Sequence, residues 1–173
     1  MKQIYVVTGA AGHLGSYVVK ELLDRGEEVR AFVLPREKIP AYVERNRQSL
    51  TRYAGDVCDR QTLDQLFVTD EDAEFTVIHC AGLISISLGK NPKVYSVNVD
   101  GTANVIAACR EHQVRRLVYV SSVHAIPVLP RGQVMCEISS FSPDRVVGYY
   151  AKTKALATQM VLDAAKFGMD ALV

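Results

Sequence analysis

The chain has 173 residues, 49% of them hydrophobic and 23% charged, which excludes disordered, collagen-like and low-complexity classes and provides for one apolar core. Twenty Lys+Arg against nineteen Asp+Glu leave a formal charge of +1, which argues against a nucleic-acid binder. Cys58, Cys80, Cys109 and Cys136 lie far apart, with no C-x-x-C pair and no histidine at metal-ligand spacing, so reduced thiols in a cytoplasmic protein without a metal are expected. The apolar run 4–7 is too short for a signal-peptide core, and no stretch approaches the roughly 18 apolar residues of a membrane span.

Residues 4–8 form a β-branched run closed by glycine and read as a strand. Residues 13–25 follow with Leu14, Val18, Val19, Leu22 and Leu23 at helical spacing, and Gly26 stands where a helix-ending glycine would. Residues 29–34 read as a second strand ended by Pro35, 36–47 as a loop with a short helix, and 50–54 as a weak strand. Asp59 can cap a short helix through Phe67, and 75–80 is a buried strand. Asn91-Pro92 supplies a cap and a first-turn proline for a long helix to about His112. A strand at 117–121, an irregular stretch at 122–147, a long helix at 148–167 and the start of a strand at 170–173 complete the chain. A loop as long as 122–147 in a compact domain tends to be functional. Strands alternating with helices imply right-handed crossovers, and nearly continuous apolar strands fit burial on both sides. The expected fold class is therefore α/β, a doubly wound parallel sheet with helices on both faces.

Thr8-Gly9-Ala10-Ala11-Gly12-His13-Leu14-Gly15 lies between the first strand and the first helix. Glycines there permit a tight turn and close approach of a pyrophosphate, and the helix start adds free N–H groups and a positive dipole end. The spacing is G-x-x-G-x-x-G, not G-x-G-x-x-G. At the end of the second strand no acid stands in line; Glu37 lies past Pro35, and Arg36 can meet a 2′-phosphate, which leans the cofactor toward NADP over NAD. Tyr150 and Lys154 are i and i+4 and share a helix face. A nearby ammonium favours phenolate, which makes an acid/base able to move a proton on or off an alcohol oxygen. Ser121 and Ser122, at the end of the preceding strand, can converge on that oxygen.

These residues resemble the short-chain dehydrogenase/reductase family in its extended, epimerase/dehydratase-like branch. The turn 8–15 is similar to its T-G-x-x-G-x-x-G motif, Gly55-Asp56-Val57 to its adenine-contacting segment, and His79-Cys80-Ala81-Gly82 to the run beside the nicotinamide ribose. Residues 98–104 are similar to its N-V-x-G-T-x-N helix, Val120-Ser121-Ser122 to its serine strand, and Tyr150/Lys154 to its catalytic pair. The resemblance implies a Rossmann-type domain binding NAD(P) over 1–173. It implies catalysis by Ser122, Tyr150 and Lys154. It places Thr8, Gly9, Gly12, His13, Leu14, Gly15, Asp56, Val57, Ala81, Gly82, Asn98, Ser121, Tyr150 and Lys154 at the cofactor, with Arg36 added by its position after the second strand. Hydride transfer on a small-molecule alcohol or ketone is implied, with a lean toward dihydroflavonol-reductase-like and hydroxysteroid-dehydrogenase-like members; nucleotide-sugar epimerases and dehydratases stay open. A homodimer through helices 92–112 and 148–167 is also implied. The family continues into a C-terminal substrate domain, so the chain is expected to stop at the start of the sixth strand. The alternative is a non-catalytic dinucleotide-sensing module or an inactive fragment of a longer enzyme. His79 reads as a packing or ribose-side residue, His124 as bordering the site, and Cys80 and Cys136 as small buried residues.

Overall fold

The computed structural model describes residues 1–43, 47–86 and 89–173. Six parallel strands, β1 (Lys2–Thr8), β2 (Glu28–Val33), β3 (Leu50–Ala54), β4 (Ala73–His79), β5 (Arg116–Tyr119) and β6 (Ala171–Leu172), form one sheet in the order β3-β2-β1-β4-β5-β6. Each falls within two residues of its place in the sequence reading. From β1 the chain winds outward to β3, then returns to the other side of β1 as β4 and winds to β6. The order therefore reverses between β1 and β4, and a Rossmann-type sheet offers its ligand crevice at the carboxyl ends of those strands.

Alternation along the strands explains the two layers. Ile4, Val6 and Phe32 face one way, against α2 (Gln61–Asp64), α4 (Gly101–Glu111) and α5 (Tyr149–Lys166), in a cluster with Leu63, Val105 and Val161. Val7, Val29, Ala31 and Val33 face the other way, against Val19 and Leu23 of α1 (His13–Asp24), with Ile39 and Val43 from the segment after β2. Each such fully buried aliphatic side chain contributes about 1.5–3 kcal/mol relative to exposure. Arg30 is buried among them and is satisfied: Nη1 donates to Leu66 O at 2.7 Å and Val68 O at 2.9 Å, with its guanidinium 5.2 Å from the Phe75 ring centroid.

Helix ends follow local chemistry. Gly26 adopts φ +81°, and Gly26 N–H and Glu27 N–H donate to Leu23 O and Leu22 O, so α1 stops in a motif that needs the left-handed region. Asn91 Oδ1 accepts from Lys93 and Val94 N–H to open α3 (Pro92–Tyr95). The helix expected to run through 92–112 is not uniform: a π turn, Ser96–Asp100, separates α3 from α4. Asp59 accepts from Gln61 N–H at 3.1 Å, but the helix it heads is short, with α2 passing into a 3-10 turn, Gln65–Phe67. No helix is seen at 36–43, where a turn follows β2; residues 44–46 of that expectation lie outside the described residues. Among the described residues no helix is long and apolar enough to cross a membrane, and no three His/Cys/Asp/Glu side chains are grouped to hold a metal ion.

Candidate active site

A cleft of about 280 Å³ opens at the carboxyl ends of β1, β2, β3 and β4. Its floor is the glycine turn. Gly9 has φ +64°, and a Cβ there would lie 2.7 Å from the backbone N and Cα of Ala81; a Cβ at Gly15 would lie 2.2 Å from Gly9 O. Both glycines are required by backbone packed on backbone. Gly12 differs, since its added Cβ would meet only Gly9 O, at 3.2 Å, and Gly12 itself lines the cleft. A bare backbone therefore faces the open side, and the first-turn N–H groups of His13, Leu14 and Gly15 have no intrahelical acceptor. This combination fits an anionic pyrophosphate. The side chains of His13 and Leu14 are exposed, with the His13 ring on Tyr17, so these two positions offer the ligand their amides only.

The walls come from three strand ends. After β3, Gly55, Asp56 and Val57 line the cleft, with Asp56 Oδ1 accepting from Cys58 N–H at 2.9 Å. After β4, Cys80, Ala81 and Gly82 line it. After β2, Leu34 and Glu37 line it, while Arg36 is exposed and is not part of the wall. Glu37 reaches the cleft because the chain turns back at Pro35: Glu37 N–H donates to Leu34 O, Leu34 N–H donates to Glu37 Oε2 at 3.2 Å, and Arg52 on β3 donates to the carbonyls of Pro35 and Glu37. Sequence reasoning passed over Glu37 as a ligand residue because it stands beyond the proline.

The residues expected to be catalytic lie where β5 ends and α5 begins, outside the lining of that cleft. Lys154 is almost wholly buried; Nζ donates to Tyr119 Oη at 2.6 Å and to Val120 O at 2.8 Å. Burial lowers its pKa to about 8. Tyr150 is half-buried in the first turn of α5, with the His124 ring edge-on to it at 6.1 Å. The two serines separate in role. Thr158 Oγ1 gives its proton to Lys154 O at 2.7 Å, so Ser121, 2.5 Å from Thr158 Oγ1, must be the donor there and is tied to α5. The Ser121 hydroxyl is thus committed to α5. Ser122 Oγ accepts from His124 N–H at 3.2 Å, and among the described residues its own proton has no acceptor.

Asn98 is held by bonds within the chain. Its Oδ1 accepts from Leu83 N–H, and its Nδ2 donates to Leu83 O and Thr153 Oγ1, so the carboxamide braces the β4 exit against α5. The π turn that carries it provides this inward aim; such turns often occur at functional sites. Behind it, His79 is fully buried, with Nδ1 2.6 Å from Thr8 Oγ1 and Nε2 3.1 Å from Thr102 Oγ1. Thr102 donates to Asn98 O, so it accepts from His79 Nε2–H, and His79 Nδ1 accepts from Thr8. A hydrogen-bonded chain thus joins the glycine turn to the base of α5. Cys80 is half-buried, its thiol pushed up to about 11 by burial; Cys136 is exposed, not buried as its sequence context suggested.

Residues 6–171 match the model of the 3-beta hydroxysteroid dehydrogenase/isomerase family. The chain belongs to that family. Its relatives include sterol demethylase protein B of Methylococcus capsulatus, 34% identical over 97% of this chain and 49% of that protein, and mouse 3 beta-hydroxysteroid dehydrogenase type 7, 32% identical over 93% and 44%. Among solved structures, the UDP-glucose 4-epimerase of Thermus thermophilus in complex with NAD superposes with a TM-score of 0.73 at 25% identity, covering 97% of this chain and 53% of that one. This member of the dehydrogenase/isomerase family thus spans about half the length of the curated relatives it matches.

Proposed function

We propose that the chain is the dinucleotide-binding part of an NAD(P)-dependent oxidoreductase that interconverts a small-molecule secondary alcohol and its ketone. The observation that carries this reading is the meeting of two half-sites on one sheet edge. A glycine cradle opens beside β1, and Ser122 just after β5 and Tyr150 and Lys154 on the first turns of α5 stand at the same end of the sheet, which supports a shared site. The relatives named for hydroxysteroid and sterol chemistry support a substrate of that kind.

The glycine turn and the first-turn amides of α1 would hold the pyrophosphate, Asp56 and Val57 the adenosine side, and Ala81 and Gly82 the nicotinamide side. A bound nicotinamide supplies or accepts the hydride. Ser122 donates to the substrate oxygen and fixes its direction. Tyr150 Oη gives its proton to that oxygen as a carbonyl is reduced and takes it back as an alcohol is oxidised. Lys154, held as an ammonium on the same helix face, favours the phenolate and so brings the proton exchange toward neutral pH.

Glu37 supports NAD over the NADP that Arg36 suggested in the sequence. A carboxylate in the wall can accept from ribose hydroxyls, whereas a 2′-phosphate there meets like charge. In initial-rate assays on a panel of 3-oxosteroid, dihydroflavonol and other carbonyl compounds, at least one should be reduced, with kcat/KM favouring NADH over NADPH by about tenfold or more. No NADH consumption across the panel by the whole enzyme of which this chain is the proposed dinucleotide-binding part contradicts the oxidoreductase reading; a preference for NADPH contradicts the role of Glu37.

A further inference from the structure

Tyr119 occupies a core position. With Leu117 it faces the α4/α5 layer, is 2% exposed, and packs in the main apolar cluster, where phenylalanine would fill the same space. A buried phenol is costly unless its hydroxyl is bonded. Here the hydroxyl receives the Lys154 ammonium at 2.6 Å, and the ring lies under the same group, its centroid 4.3 Å from Nζ. Val120 O, the next carbonyl along β5, is 2.8 Å from Nζ. Lys154 has three N–H donors, and two of them are committed to the adjacent residues Tyr119 and Val120 at the end of β5.

We propose that Tyr119 is a positioning residue: its hydroxyl and the Val120 carbonyl hold the Lys154 ammonium at the end of β5, so that the charge acting on Tyr150 is set before any ligand arrives. This rests on the oxidoreductase reading for its consequence in catalysis, but the holding of Lys154 is a property of the chain alone. The titratable groups facing Nζ are few. Tyr119 comes from β5, and His79 and Cys80 come from the carboxyl end of β4; Tyr150 stands one turn earlier on the same helix as Lys154. Burial holds His79 neutral, and holds the Cys80 thiol and the Tyr119 phenol protonated, near pH 7, so none of the three supplies a countercharge. The ammonium is kept by neutral acceptors, and removing one of them disfavours its charged form.

Tyr119→Phe is the discriminating variant, because it keeps the ring beneath Nζ and the core volume and deletes only the hydroxyl. The Lys154 side-chain nitrogen is followed by NMR on isotope-labelled protein from pH 6 to 11, its signal assigned by its loss in Lys154→Met. The expected result is a downward shift of the Lys154 midpoint by about one pH unit in Tyr119→Phe, with the thermal midpoint at pH 7 lowered by about 3–6 °C and the chain still folded. An unmoved Lys154 midpoint overturns the proposal, and so does lost activity with an unmoved midpoint, which would assign the hydroxyl to packing alone. A shifted midpoint supports it, and the alkaline limb of kcat/KM should then fall by the same amount. A shifted midpoint in a chain that turns over no carbonyl compound supports the positioning of Lys154 and counts against the oxidoreductase reading alone.

Discussion

Tyr150→Phe lowers turnover by about 10²–10⁴-fold while leaving NADH affinity within about twofold. The variant removes one oxygen from a side chain that is half-buried at the start of α5 and keeps the ring that meets His124 edge-on. The backbone there is unaffected, because Thr153 Oγ1 bonds the Tyr150 carbonyl, not its phenol. Lys154 keeps both of its acceptors, Tyr119 and Val120. Ser122 still orients the substrate oxygen, but no group of matched acidity supplies the proton. Measured kcat on a reducible carbonyl compound, beside a direct NADH titration, checks both halves. Undiminished kcat would remove Tyr150 from the mechanism; lost NADH binding would make it a cofactor residue instead.

The largest effect on stability comes from His79. Its ring is fully buried, each nitrogen is committed to a threonine, and burial, followed by the nearby Lys154 charge, lowers its pKa from 6.5 to about 3. In the unfolded chain the imidazole takes up a proton below about pH 6.5; in the native chain it does so only near pH 3. Its contribution is therefore complete above pH 6.5 and is lost as pH falls from 6.5 toward 3, by about 1.4 kcal/mol per unit. Near pH 3 the loss reaches about 4–5 kcal/mol, a large share of the 5–15 kcal/mol typical of a domain. Asp64 and Asp170, held below the usual carboxylate range by His112 and Arg116 respectively, lose their pairing only at lower pH, so an interval from 7 to 4.5 isolates the histidine. Urea unfolding should show wild type losing about 2–3 kcal/mol more than His79→Gln over that interval. Equal losses in the two proteins would mean that His79 is protonated in the native state or hydrated.

Much of this arrangement is visible in the chain itself. β-Branched runs place the strands, Asn91-Pro92 and Gly26 mark helix boundaries, and the i,i+4 spacing selects Tyr150 with Lys154 over Tyr149 or Lys152. What the sequence leaves open depends on direction and on distant partners. Ser121 and Ser122 are neighbours on extended backbone and point to opposite sides, and only Thr158 on α5 reveals which one is occupied. The π turn at 96–100 lies inside a segment whose apolar spacing reads as ordinary helix, so the inward aim of Asn98 is not apparent there. Glu37 enters the cleft because Arg52, on another strand, holds the turn after Pro35. Tyr119 sits in an apolar run and reads as core; its hydroxyl matters only because Lys154 arrives from a helix 35 residues later.

The central claim is that the cleft at the carboxyl ends of β1–β4 binds a dinucleotide on bare backbone at Gly12. Isothermal titration with NADH, on the wild type and on Gly12→Ala, tests it most directly. Gly12 has extended backbone, φ −71° and ψ 171°, which alanine adopts freely, and its methyl meets one atom of the chain, Gly9 O at 3.2 Å. Saturable one-to-one binding by the wild type, weakened about tenfold or more in Gly12→Ala at a nearly constant thermal midpoint, is the predicted result. No saturable binding by the wild type, or equal affinity in the two proteins, would contradict the account.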